Sequence, residues 1–124
     1  LPVPESVRHW FASPRAAIGF LLHAASIDTA KLGTRRNLSM PRISATVGEQ
    51  IEALRKVGGD KAVRLIRRGP DPTIMRIVEG WPQNFDARRA LALGFRADRS
   101  FEEIIRIHVE DELQGTLQPR TSSA

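Results

Sequence analysis

The sequence predicts a small, helix-rich α+β domain with short strands. Three observations lead there. Two segments, Thr46-Val47-Gly48-Glu49 and Ser100-Phe101-Glu102-Glu103, read as capping boxes, in which a hydroxyl and a carboxylate reciprocally satisfy the first free amides of a helix. Glycine or proline follows nearly every stretch with helical apolar spacing. The candidate strands, in contrast, are only five or six residues long, at residues 7–11, 36–40 and 62–67. At 124 residues the chain fits one domain, which would bury roughly two thirds of its extended-chain surface. Its 41% hydrophobic content suffices for one modest core, and its 27% charged content excludes wholesale disorder.

In chain order, residues 7–11 suit a short strand. Ser13-Pro14 then opens a helix, with a side-chain oxygen at the cap and proline at the first helical position. Ala16, Ala17, Phe20, Leu21 and Ala24 recur at helical spacing to about Ile27, while Ile18, Leu22 and Ala25 widen the apolar surface, so this helix is expected to pack on more than one side. Residues 28–33 form a turn, residues 36–40 a candidate strand, and Pro41 stops it. The helix after Thr46 buries Val47, Ile51, Leu54 and Val57 and ends at Gly58-Gly59. Residues 62–67 read as another short strand, although a helix would accept them too. Gly69-Pro70-Asp71-Pro72 is a rigid turn into a helix over 73–79, which Gly80-Trp81-Pro82 ends. Asp86 caps a helix over 87–93, terminated by Gly94. Ser100 opens the last helix, to about Leu113, with Ile104, Ile105, His108 and Val109 on or near its inner side. Residues 1–115 form the predicted domain, and 116–124 a polar tail expected to be disordered.

Composition narrows the function classes. No apolar run reaches the roughly 18 residues of a membrane span; the longest, residues 16–25, is interrupted by Gly19 and His23. With no cysteine there is neither a disulfide scaffold nor a thiolate metal site, and a reducing cytoplasm fits. The three histidines, at 9, 23 and 108, lack metal-ligand spacing. The first residues carry no initiator Met and no charged-then-apolar signal pattern, and read as the middle of a longer protein. The net charge of +5 comes mostly from arginine, scattered in pairs such as Arg35-Arg36 and Arg88-Arg89 rather than gathered on one face. That favours a solvated surface over a specific nucleic-acid interface.

The segment Asp86-Ala87-Arg88-Arg89-Ala90-Leu91-Ala92-Leu93-Gly94-Phe95-Arg96, followed by Ser100-Phe101-Glu102-Glu103-Ile104-Ile105, resembles the C-terminal signature of the extended short-chain dehydrogenase/reductases, the NAD-dependent epimerase/dehydratase family. Upstream, Arg8-His9-Trp10-Phe11-Ala12-Ser13 is similar to that family's Arg-x-aromatic-apolar segment beside the substrate cleft. Where the family commonly has an aspartate, this sequence has Arg15. Arg67-Arg68-Gly69-Pro70-Asp71 resembles the family's arginine-and-aspartate turn lining the same cleft. A closer likeness, carried by residues 8–17 and 79–89, is to members that oxidise a sugar acid. The resemblance implies the C-terminal, substrate-binding lobe of such an enzyme, without the Rossmann core.

By the same resemblance, Arg8 would face substrate first, Arg68 second, with Trp10 a cleft wall and Asp71 a further contact. The duller alternatives are a surface ion pair for Arg8, packing for Trp10 and Trp81, and a core or boundary place for His108. The family's chemistry needs a tyrosine general acid/base with a lysine four residues on, yet this chain has no tyrosine. Its nine glycines never fall in a Gly-x-Gly-x-x-Gly pattern. NAD is therefore expected on a nucleotide-binding half outside these residues, with a sugar acid as substrate and no cofactor on this chain alone. Strand 36–40 would lie at that half's sheet edge, and helix 13–27 would pack on the same sheet. Without it, both would be exposed and the chain would self-associate, as a homo-oligomer. The rival reading is a stand-alone basic helical interaction or nucleic-acid-binding module.

Overall fold

Two prolines lead the chain into a strand that pairs with the approach to the first capping box, and the rest is helical. The computed structural model describes residues 1–117. Its elements are β1 (Arg8–Phe11), α1 (Pro14–Ser26), a 3-10 turn (Thr29–Leu32), β2 (Ile43–Thr46), α2 (Val47–Val63), α3 (Pro72–Glu79), α4 (Arg88–Ala92) and α5 (Phe101–Glu112). The fold is mixed α/β and helix-rich with two short strands, as predicted. The expected tail falls mostly at 118–124, outside the described residues.

β1 and β2 form an antiparallel ribbon with Arg8 opposite Thr46 and Phe11 opposite Ile43. The ladder continues into the helix start, where Val47 N donates to Val7 O at 2.9 Å and Gly48 N to Glu5 O at 2.9 Å. The ribbon therefore delivers α2 in a fixed register. Both arms of the Thr46 box form: Glu49 N donates to Thr46 Oγ1, and Thr46 N to Glu49 Oε2. The Ser100 box is altered. Ser100 Oγ accepts from Glu103 N, but the Glu103 carboxylate reaches past Ser100 to the amide of Arg99.

Two expected strands are corrected. Residues 36–40 join no strand; Arg89 donates to the carbonyls of Leu32, Arg35 and Asn37. Leu38 and Met40 still pack against the core cluster of Phe20, Ala90 and Phe95. Their apolar character is thus used for burial, with no strand beside them to pair with. The strand that does form is Ile43–Thr46, too short to stand out ahead of the cap. At 62–67 no strand forms: the helix takes residues 62 and 63, and a turn follows. Gly59, at φ 72°, kinks the chain where the stop was read, and α2 then resumes to Val63. The amides of Leu65 and Ile66 close back on the carbonyls of Ala62 and Val63, leaving Leu65 exposed.

α1 begins as read, with Ser13 Oγ accepting from Ala16 N. Ser13 is wholly buried, and its N–H and hydroxyl both donate to the Asp98 carboxylate, at 2.8 and 2.6 Å. Only Phe20 on α1 is buried; Leu21 and Leu22 are 73% and 68% exposed. The helix packs on one side and leaves the other apolar side open. Arg15, at its first turn, meets Glu110 at 3.1 Å and Asp111 at 2.6 Å on the last turn of α5. Each charge opposes its own helix dipole, and each is offset by the other. On α5 the inner position is one residue earlier than expected: Ile107 is buried and His108 exposed. α5 packs against α2, whose Val47, Ile51 and Ala53 are buried.

Candidate functional site

The two-residue period of a strand puts Arg8 and Trp10 on one face of β1. The Arg8 guanidinium donates from Nη1 to the Ser44 carbonyl at 3.1 Å, and its Nη2 lies 3.4 Å from Glu49 Oε2. The Thr46 amide, then the Arg8 charge, hold the Glu49 carboxyl below its ordinary range. The duller alternative for Arg8, a carboxylate partner, is thus present. Yet the pair is open to water, with side chains 37% and 56% exposed, and such a pair is worth little and exchanges readily.

Arg8 also lines a groove of about 600 Å³ between the lead-in to β1 and one face of α3. Pro4 and Ser6 form one wall. Pro72, Met75, Arg76 and Glu79 form the other, spaced as successive positions on one side of a helix. Gln83 lies at its end, where the Ser44 hydroxyl donates to the Gln83 carbonyl at 2.8 Å and draws this loop over the ribbon. Trp10 stands in a neighbouring hollow with Leu38, Met40 and Arg42, its ring 5.8 Å from that of Phe85. Trp81 is half exposed and meets the edge of His9 at 5.5 Å.

Arg68 and Asp71 lie on the loop that leads to this groove, outside its lining. Arg68 pairs with Glu5 and is 65% exposed. Asp71 Oδ1 accepts from Thr73 N at 2.8 Å and Ile74 N at 3.2 Å, which makes it the N-cap of α3. The loop is anchored on the first residues, with Gly69 N donating to Leu1 O and Asp71 N to Pro2 O, each at 3.0 Å. The structure therefore places Arg8 in the groove and Trp10 in the hollow beside it, with Arg68 and Asp71 outside the lining. Sequence reading missed Arg76. Helical spacing groups it with Pro72, Met75 and Glu79, but what that face meets is set by the fold.

The residues present do not fit a dinucleotide. The sheet of the described residues is an antiparallel ribbon, with no strand–glycine turn–helix unit to bring amides against a pyrophosphate. The starts of α1, α2, α3 and α5 are already occupied by side-chain caps, and those of α2 and α5 carry glutamates that would repel phosphate. Among the described residues no group of histidine and carboxylate side chains could hold a metal ion, and no helix is long and apolar enough to cross a membrane.

No family model matches the chain. It is 39% identical over 110 residues to the D-erythronate dehydrogenase of Cupriavidus necator, a match covering 89% of this chain and 34% of that protein. The D-erythronate dehydrogenase of Haemophilus influenzae is 31% identical over 112 residues, covering 90% of this chain and 36% of its own. The crystal structure of the nucleoside-diphosphate-sugar epimerase from Agrobacterium tumefaciens superposes on 95% of this chain with a TM-score of 0.93 and 68% identity, covering 34% of that chain. The likeness is thus to dehydrogenases and epimerases of the short-chain dehydrogenase/reductase type. The chain corresponds to their C-terminal part and spans about a third of the length of the relatives it matches. The signature at residues 86–105 is now physical. Asp86 accepts from Arg88 N at the start of α4, Gly94 turns with φ +92°, and Ser100 caps α5. The relatives are named as a dehydrogenase and an epimerase, two chemistries on one fold.

Proposed function

We propose that this chain is the substrate-binding portion of an NAD-dependent oxidoreductase acting on a sugar acid of the D-erythronate kind. The observation that carries the reading is an arginine-bearing groove in a chain whose relatives are named D-erythronate dehydrogenases. The nucleotide and the tyrosine general acid/base belong, in this proposal, to a nucleotide-binding portion beyond these residues, because this chain has no tyrosine. Without that portion the chain does not turn over substrate. The nicotinamide supplies the hydride acceptor when bound there.

This chain's residues bind and orient. A substrate carboxylate replaces Glu49 as the partner of Arg8 and gains charge-assisted hydrogen bonds from a fork whose other arm stays on the Ser44 carbonyl. Trp10, backed by Phe85, forms the wall beside it. Arg68 releases Glu5 to supply a second cation, and Asp71 offers to a substrate hydroxyl the carboxylate oxygen not used in its cap. The catalytic gain from such a clamp is positional, holding the reacting carbon in line for transfer.

The test is an enzyme in which this chain replaces the matching third of the Cupriavidus dehydrogenase. Arg8→Gln is expected to raise the KM for D-erythronate about ten- to a hundredfold, the effect of one lost charged hydrogen-bond set. It should change kcat far less. An unchanged KM would remove Arg8 from the site.

A further inference from the structure

We propose that Arg76 is the specificity-determining residue of this groove: it joins Arg8 on the carboxylate of the sugar acid and selects that group over an uncharged polyol. This rests on the sugar-acid reading above and adds a residue to it. Arg8 offers only one arm of its fork, since Nη1 stays on the Ser44 carbonyl while Nη2 exchanges Glu49 for the substrate. Arg76, in the same groove, makes no ion pair or side-chain hydrogen bond among the described residues, although Glu79 stands on the same face one turn on. It is the groove's uncompensated cation. A carboxylate there neutralises it, whereas a neutral polyol leaves it as it was and forgoes the charge-assisted bonds.

The support for Arg76 is rigid. α3 starts with proline at the first helical position and is capped twice by Asp71, and the preceding loop is hydrogen-bonded to Leu1 and Pro2. A guanidinium on such an element is held closer to one position than one on a loop. Glu79, Ser6 and the Gln83 amide line the remaining space and supply acceptors and donors for hydroxyl groups. A groove of about 600 Å³ lies within the usual range for a small-molecule site.

Two measurements test this. In the joined enzyme described above, Arg76→Gln is expected to raise the KM for D-erythronate about ten- to a hundredfold with a much smaller change in kcat. In this chain, the Arg76 Nε–H resonance is expected to shift on titration with D-erythronate and to stay in place with erythritol, the uncharged polyol of the same length. If Arg8→Gln raises KM and Arg76→Gln does not, the Arg76 assignment fails while the sugar-acid reading stands. If the joined enzyme oxidises no sugar acid, that reading fails, and the resonance still decides whether Arg76 selects a carboxylate. An equal shift with inorganic phosphate at the same charge concentration would mark a nonselective cation and overturn the proposal.

Discussion

At Gly94 the backbone turns with φ +92°, and the position a Cβ would take is 3.0 Å from His23 Nε2. That nitrogen lies 2.7 Å from the Leu93 carbonyl, and its ring sits edge-on to Phe95 at 4.6 Å. Gly94→Ala must therefore adopt a left-handed conformation, costing about 1–2 kcal/mol, and also push the imidazole off its carbonyl. A fall in the denaturation midpoint is expected, and an unchanged midpoint would contradict the packing described. Asp86 offers a pH test. The Arg88 side chain, then its amide, hold the Asp86 carboxyl down at about 2, from an ordinary 3.8. A depressed carboxyl contributes stability above its unfolded value and loses it as pH falls toward the folded one. The support of Asp86 for the start of α4 should thus persist to below pH 4 and fade toward 2. Carboxyl-carbon NMR should give a midpoint near 2, and one near 3.8 would show the pair to be absent in solution. Sequence reading recognised Ser13 as a cap; it read Asp86 as one too, whereas the N-cap of α4 is Ala87 and Asp86, one residue earlier, accepts from Arg88 N. It did not see Asp98, because a buried carboxylate 85 residues away leaves no local trace.

Elements were legible where the signal was local. Both capping boxes, Ser13-Pro14 and Asp71-Pro72 each mark a helix start in the structure. Of the strands, the one read at 7–11 forms as Arg8–Phe11, but 43–46 was not seen, because its pairing is decided by the register against Arg8–Phe11 rather than by composition. α1 shows the other limit. Its periodicity gave an apolar surface wider than these residues cover, and Ile18, Leu21 and Leu22 remain 58%, 73% and 68% exposed. An open face of this kind favours association. Sedimentation of this chain is expected to show dimers or larger species. Replacing these three residues with glutamate should shift it toward monomer at a cost of about 0.5 kcal/mol or less per site, since none is buried. A monomeric parent chain at high concentration would contradict this.

Across the whole molecule the features of the family separate cleanly. The described residues carry a short ribbon, a packed cluster of Phe20, Ala90 and Phe95, and an arginine-bearing groove. The chain contains no tyrosine and no dinucleotide turn. The groove's main residues were partly legible. Arg8 and Trp10 stood in a recognisable segment, but Arg76 emerged only when α3 was seen to turn it toward the lead-in to β1. Arg68 and Asp71 are close in sequence to that wall yet lie outside the groove's lining, a distinction that depends on where the chain folds over Leu1 and Pro2. The central claim is that this chain grips a sugar acid while the acid/base residue and nucleotide come from elsewhere. Its most direct test is NADH formation from D-erythronate and NAD, measured for this chain alone and for the chain joined to a dehydrogenase's nucleotide-binding portion. The account predicts no turnover in the first case and turnover in the second. Turnover by the chain alone would contradict it.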